Sequence, residues 1–204
     1  MQSWLLAVDR FNAAIGKFFA WSIVVLTFII TYEVASRRIW GQPTTWAFDA
    51  SYMLYGLLFM SAGAYTLSRN GHVRGDFLYR QWSPRVQAGL DLALYILFFF
   101  PGILAMVYAG FWFFELSYET QETSSFSPDG LLLWPFKMII PITGVLMALQ
   151  GVVEVLRCWI CLRTGEWPQR QSDVEETENL ILAEAEANRV KVDPSKLNVD
   201  EAKL

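Results

Sequence analysis

Few residues in this 204-residue chain have the type and spacing to do chemistry. Glu33 stands alone in an apolar run and lies one helical turn before Arg37, so an i, i+4 ion pair would neutralise it. Contact with a partner chain and proton coupling are the other roles open to an ionisable group in such a run. Asp49, Asp91, Lys137 and Glu154 lie near the ends of other apolar runs, where reaching out to polar surroundings explains them without function. His72 is the only histidine, which excludes a haem held between two histidines and any His-rich metal site. Cys158 and Cys161 have redox or half-zinc spacing but no second pair, so two unpaired thiols are expected. There is no G-x-x-x-x-G-K-[ST], so no nucleotide binds by a phosphate loop. No catalytic constellation, bound cofactor or nucleic-acid partner is expected.

The elements that must position these residues are apolar. The chain is 54% hydrophobic and 18% charged, and the nineteen residues between Asp49 and Arg69 carry no charge. About 18 apolar residues suffice to cross a bilayer. Four spans are expected, over 17–36, 49–69, 88–114 and 131–156, in an all-α membrane protein. Pro101, Gly102, Pro135 and Pro141 fall inside them, where neighbouring helices can satisfy the freed backbone. Short connections favour antiparallel neighbours packed as a bundle, with Gly56, Ser61, Gly63, Ala64, Gly102 and Gly110 allowing close approach.

The N-terminus lacks a basic segment and a cleavage site before the first span, so no cleaved signal is expected. Trp4, Leu5, Val8, Phe11 and Ile15 recur at helical spacing, with Asp9, Arg10 and Asn12 off that stripe. This suits an interfacial amphipathic helix; a plain extension of the first span is the other reading. Ser83-Pro84 and Ser127-Pro128-Asp129 look like helix starts, and Asn70-Gly71 like a helix stop.

Lys and Arg between spans fall nine on one side (Arg10, Lys17, Arg69, Arg74, Arg80, Arg85, Arg157, Arg163 and Arg170) and three on the other (Arg37, Arg38 and Lys137). Both termini are therefore expected in the cytoplasm. Trp40, Trp46, Trp112 and Trp134 would mark the outer interface, and Trp82, Trp159 and Trp167 the inner one. Residues 1–168 form the membrane domain and 169–204 an acidic cytoplasmic tail. Ser172-Asp173-Val174-Glu175 reads there as a capping box, and the tail is otherwise solvated or disordered.

The block from Arg37 to Asp76 resembles the small, DctQ-like membrane subunit of tripartite ATP-independent periplasmic (TRAP) transporters. It reads R-R-I-W-G-Q-P-T-T-W-A-F-D, then an uncharged helix, then L-S-R-N-G-H-V-R-G-D-F-L. Arg37, Pro43, Trp46, Asp49, Gly63, Arg69, Gly71, His72, Arg74 and Asp76 match the pattern; Asp49 replaces an expected Glu, and Gly75 an expected branched residue. The resemblance implies a bacterial inner-membrane complex with a large polytopic subunit and a periplasmic solute-binding protein. The large subunit would hold the sodium ions and an organic acid, and move, while this chain braces it as a scaffold. Arg69, His72, Arg74 and Asp76 would organise the cytoplasmic turn through ion pairs or lipid headgroups, or simply stop the helix. Two other classes stay open: a homodimeric proton-coupled exporter using Glu33, and a membrane anchor of another complex docking through its tail and cysteines.

Overall fold

The computed structural model describes residues 2–69, 71, 79, 81–127, 130–168 and 184, and apart from one antiparallel bridge, Thr123 to Leu132, its regular elements are helical. The chain divides into two units, Met1–Gln171 and Ser172–Leu204, and the described helices belong to the first. The capping box expected at Ser172 and nearly all of the acidic tail lie outside the described residues.

The helices are α1 (Gln2–Ala20), α2 (Ser22–Ala35, running on as a π-turn Ser36–Trp40), α3 (Ala47–Ser68), α4 (Pro84–Leu94), α5 (Phe100–Glu119), the single turn α6 (Trp134–Lys137) and α7 (Ile139–Thr164). A π-turn at Tyr95–Phe99 joins α4 to α5. Pro101 explains it: proline cannot donate to Leu97 and its ring crowds that carbonyl. The Phe100 N–H instead reaches back to Tyr95. Pro141 likewise cannot bond to Lys137, and the helix is interrupted nearby, at Met138. Three of the resulting rods, Gln2–Trp40, Pro84–Glu119 and Trp134–Thr164, are long and apolar enough to cross a membrane. Ala47–Ser68, expected as the second span, is 22 residues long, but its tyrosines, serines and glycines keep it out of that set.

Helix ends agree in part with the sequence signals. Pro84 opens α4 after an extended Ser83, whose side chain makes no cap bond. The last rod does not start at Ser127 or Leu131. Residues 122–124 pair with 131–133, Ser124 N–H to Leu131 at 2.9 Å and Leu133 N–H to Glu122 at 2.9 Å, so the helix waits until Trp134 with Pro135 in its first turn. Left-handed glycines close two helices, at Gly41 (φ 67°) and Gly165 (φ 85°). α3 ends differently, with the Gly71 N–H returning to the Thr66 carbonyl at 2.9 Å.

α7 is the hub. It packs on α3 and α1 on one side and on α4 and α5 on the other, while α1 and α2 both pack on α3. Small residues let the axes close: a β-carbon at Gly16 would meet Tyr65 at 2.5 Å, one at Gly56 would meet Phe136 at 2.6 Å, and one at Gly151 would meet Phe99 at 2.5 Å. Gly63 faces Met147 and Gly110 faces Ile140, as expected of close contacts, but Gly102 faces open space. Its place in the list of packing glycines is therefore a correction.

Among the described residues, fourteen polar or charged side chains are buried against eleven apolar ones. Phenylalanines, leucines and tryptophans cover the outside instead. That inversion suits a solvent of hydrocarbon, in which helices associate by packing and hydrogen bonds.

Candidate functional site

The buried polar side chains gather at the two ends of the helices. At the terminal end, α1 and α7 each place polar residues on one face: Asp9 and Asn12 three apart, and Gln150, Glu154 and Arg157 at spacings of four and three. Arg157 donates one N–H to Asp9 and another to Glu154 Oε1 at 2.6 Å. Gln150 Nε2 donates to Asp9 Oδ1 at 2.8 Å and, more weakly, to Glu154 at 3.4 Å. The Asn12 amide closes the network, donating to Gln150 Oε1 at 2.8 Å. All five residues are 2% exposed or less. Leu5, Val8 and Val153 pack beside them, with Leu149, Leu156 and Ile160.

This arrangement corrects two sequence expectations. Asp9 and Asn12 were expected on the watery side of an interfacial helix, yet they face into the protein, while Trp4 and Phe11 are exposed. Glu154 was expected to reach out to the interface, and is buried because Arg157 and Gln150 meet it inside. Arg157 itself entered the loop-charge count and is a buried core residue. Asn12, Gln150 and Arg157 were not singled out by the sequence reading. The signal that would have found them is the shared face: three polar residues at helical spacing on an otherwise apolar helix need partners from another helix.

At the opposite end, the loops 41–46 and 120–133 meet. Glu33 accepts hydrogen bonds from Arg37, as its i, i+4 spacing suggests, and also from the hydroxyl and N–H of Thr44, the latter at 3.1 Å. This ties the end of α2 to the following loop. Trp46 stacks on Tyr32, ring centroids 6.3 Å apart. Asp49 is fully buried in the first turn of α3, where the helix N-terminus favours a negative charge, and it accepts from the Ser124 hydroxyl at 2.7 Å. Lys137 pairs with Glu122 and sits 3.8 Å from the centre of the Phe113 ring. The Lys137 hydrogen bond, and after it one from Ser117, holds the Glu122 carboxyl below its usual range. Asp49 and Lys137 therefore do not reach outward; each is met inside by another element. Asp91 is buried too, accepting from the Tyr79 hydroxyl at 2.8 Å.

The residues of the sequence motif do not form one site. Glu33 and Arg37 come together, and Pro43 lies exposed in the loop they anchor. Trp46 and Asp49 complete that end. Gly63 lies mid-helix against Met147, and Arg69 and Gly71 close α3 at the terminal end, Arg69 over the Tyr65 ring at 5.8 Å. His72, Arg74 and Asp76 lie outside the described residues. Cys158 and Cys161 are free and buried against Ala88. Among the described residues no three His, Cys, Asp or Glu side chains converge as a metal set.

Geometrically, both ends are clamps: they join segments far apart in sequence and turn their charges inward. A family model described as "Tripartite ATP-independent periplasmic transporters, DctQ component" matches residues 26–161, about two thirds of the chain. No curated protein matches it. The matched span contains Gln150, Glu154 and Arg157 but not their partners Asp9 and Asn12.

Proposed function

The chain belongs to the DctQ family of TRAP-transporter components, a family of transporter subunits of the inner membrane, and from that premise we propose that it is the scaffold on which the large, sodium-coupled subunit of its transporter moves. The complex takes up an organic acid delivered by a periplasmic binding protein, and the large subunit carries the sodium ions and the acid. This chain crosses the membrane four times, over about 17–36, 49–69, 88–114 and 131–156, with both termini and the acidic tail 169–204 in the cytoplasm. The bias of nine basic residues to three supports that orientation.

The observation that carries the reading is where the charges go. Asp9, Glu154 and Arg157 are engaged with one another at the terminal end, and Glu33, Asp49, Glu122 and Lys137 have protein partners at the loop end. A carrier of an organic anion needs polar groups turned toward a passage. This chain turns them into its own joints, which suits a rigid brace. The Gln2–Trp40 rod, 39 residues long, measures about 58 Å against a hydrocarbon core of about 30 Å. Its first half thus stands beyond the membrane as a strut held to α7 by Arg157.

The test is to tag the C-terminus, extract native membranes in mild detergent and identify stoichiometric partners by mass spectrometry, then reconstitute what is recovered. A large polytopic subunit should co-purify, and sodium-dependent uptake should require both chains and the binding protein. Recovery of this chain only with itself, together with transport abolished by Glu33→Gln, would replace the scaffold by a homodimeric exporter.

A further inference from the structure

The open faces of the long helices make different demands on their surroundings. α2 and α5 lie in rods apolar enough for lipid, and their exposed side chains are mostly aliphatic or phenylalanine. α3 falls short of that apolarity, yet one side of it is open. Phe48, Tyr55 and Phe59 are exposed and Tyr52 half-buried; intervals of four, three and four hold these aromatics on one stripe. Phe126 prolongs the stripe into the loop, its ring 5.7 Å from Phe48 and 6.2 Å from Tyr52. Farther along the same face the residues turn small, Ala62 and Thr66.

The phenols are the telling part. Neither Tyr52 nor Tyr55 has a hydrogen-bond partner among the described residues, and Tyr55 is 60% exposed. As the ninth residue of α3, Tyr55 stands about 12 Å along the helix, within hydrocarbon that offers its hydroxyl no acceptor. A second protein surface would supply one, and the small residues beyond Phe59 would let its backbone come close.

We propose that this stripe of α3 is the surface against which a membrane helix of the large transporter subunit docks, with the Tyr55 hydroxyl donating to a polar group on that helix. The inference rests on the scaffold reading above. Tyr108 on α5, 81% exposed, is also a phenol, but it stands among Leu104, Phe111 and Trp112 without a second hydroxyl. That makes it the right control.

A photo-crosslinking residue is placed singly at Tyr55, Phe59, Phe28 and Tyr108 in the tagged full chain expressed with its large subunit. Adducts are then identified by mass spectrometry. Positions 55 and 59 should capture the large subunit at several times the yield of 28 and 108. Equal or reversed yields, with the subunit still co-purifying, overturn the docking face and leave the scaffold standing. Adducts only with lipid or a second copy of this chain, and no co-purifying subunit, overturn both. Tyr55→Phe keeps the ring, so it should lower the fraction of partner retained in detergent while Tyr108→Phe leaves it unchanged; full retention in Tyr55→Phe removes the hydroxyl from the proposal.

Discussion

At the terminal end of the molecule Arg157 is shared by Asp9 and Glu154, and none of the three is more than 2% exposed. At the loop end Arg37 meets Glu33 and Lys137 meets Glu122, but Arg37 is 59% and Glu122 40% exposed. The residue types are the same, and burial separates their energetics. Exposed pairs gain little because solvent screens them and the side chains lose freedom. Buried pairs have already lost their hydration, so removing one partner strands the other. The terminal clamp also joins residues 148 apart in the chain, whereas Glu33 and Arg37 are neighbours on one helix. One end therefore fixes tertiary structure, and the other mainly trims a helix end and its loop.

Arg157→Leu should produce the largest effect. It leaves two carboxylates buried without their cation, a loss of roughly 3–5 kcal/mol, read as a lower melting temperature in detergent and protease access to α1. Arg37→Leu in the same assay should change little; equal shifts would erase the distinction between the ends. Asp9→Asn comes second. It keeps a carbonyl acceptor for Arg157 and removes one charge from a cluster with two carboxylates and one guanidinium. Its cost should fall below that of Arg157→Leu, at no more than about 3 kcal/mol for one charge-assisted hydrogen bond. A larger loss than Arg157→Leu would mean that Asp9, and not the arginine, organises the joint.

The two ends also differ in how readily the sequence discloses them. The Glu33–Arg37 pair follows from a spacing of four on one helix, and the apolar runs disclose the helices themselves. Asp9 with Arg157 depends on which faces of the first and last helices meet, which no local pattern contains. Interior position misled the reading in the same way for Asp49, Lys137 and Glu154: proximity to a span end suggested exposure, and tertiary partners buried them. The start of the last rod was obscured by competition, because Ser127-Pro128-Asp129 suits a helix cap while the loop after it pairs residues 131–133 with 122–124. Gly102 shows the converse, a small residue that packs on nothing within the chain.

Third in size is the Glu122–Lys137 pair, intermediate in exposure, and it has a pH signature. The folded-state carboxyl lies below its ordinary 4.5. Its stabilising contribution is therefore full above that value and fades as pH falls through the lower, folded-state value. Lys137→Met should lower stability at neutral pH and flatten the part of the acid limb that lies below 4.5. Thermal melts at closely spaced acidic pH values measure this. An acid limb unchanged by Lys137→Met would show that the pairing does not set the titration of Glu122.

Glu33→Gln should have the smallest effect on folding, although Glu33 is the residue that first attracts attention. Glutamine retains an oxygen that can accept from Thr44, so the loop at 41–46 keeps its anchor, while the lost attraction to Arg37 is largely screened by solvent. The melting temperature should stay near that of the unaltered chain, and uptake by the complete complex should persist. Raising the salt concentration should narrow what difference there is, since exposed charges are screened over about 10 Å at 0.1 M. Loss of uptake with an unchanged melt would separate function from stability at this residue. The loop end would then become a working part of transport, and only the terminal clamp would keep the purely structural role.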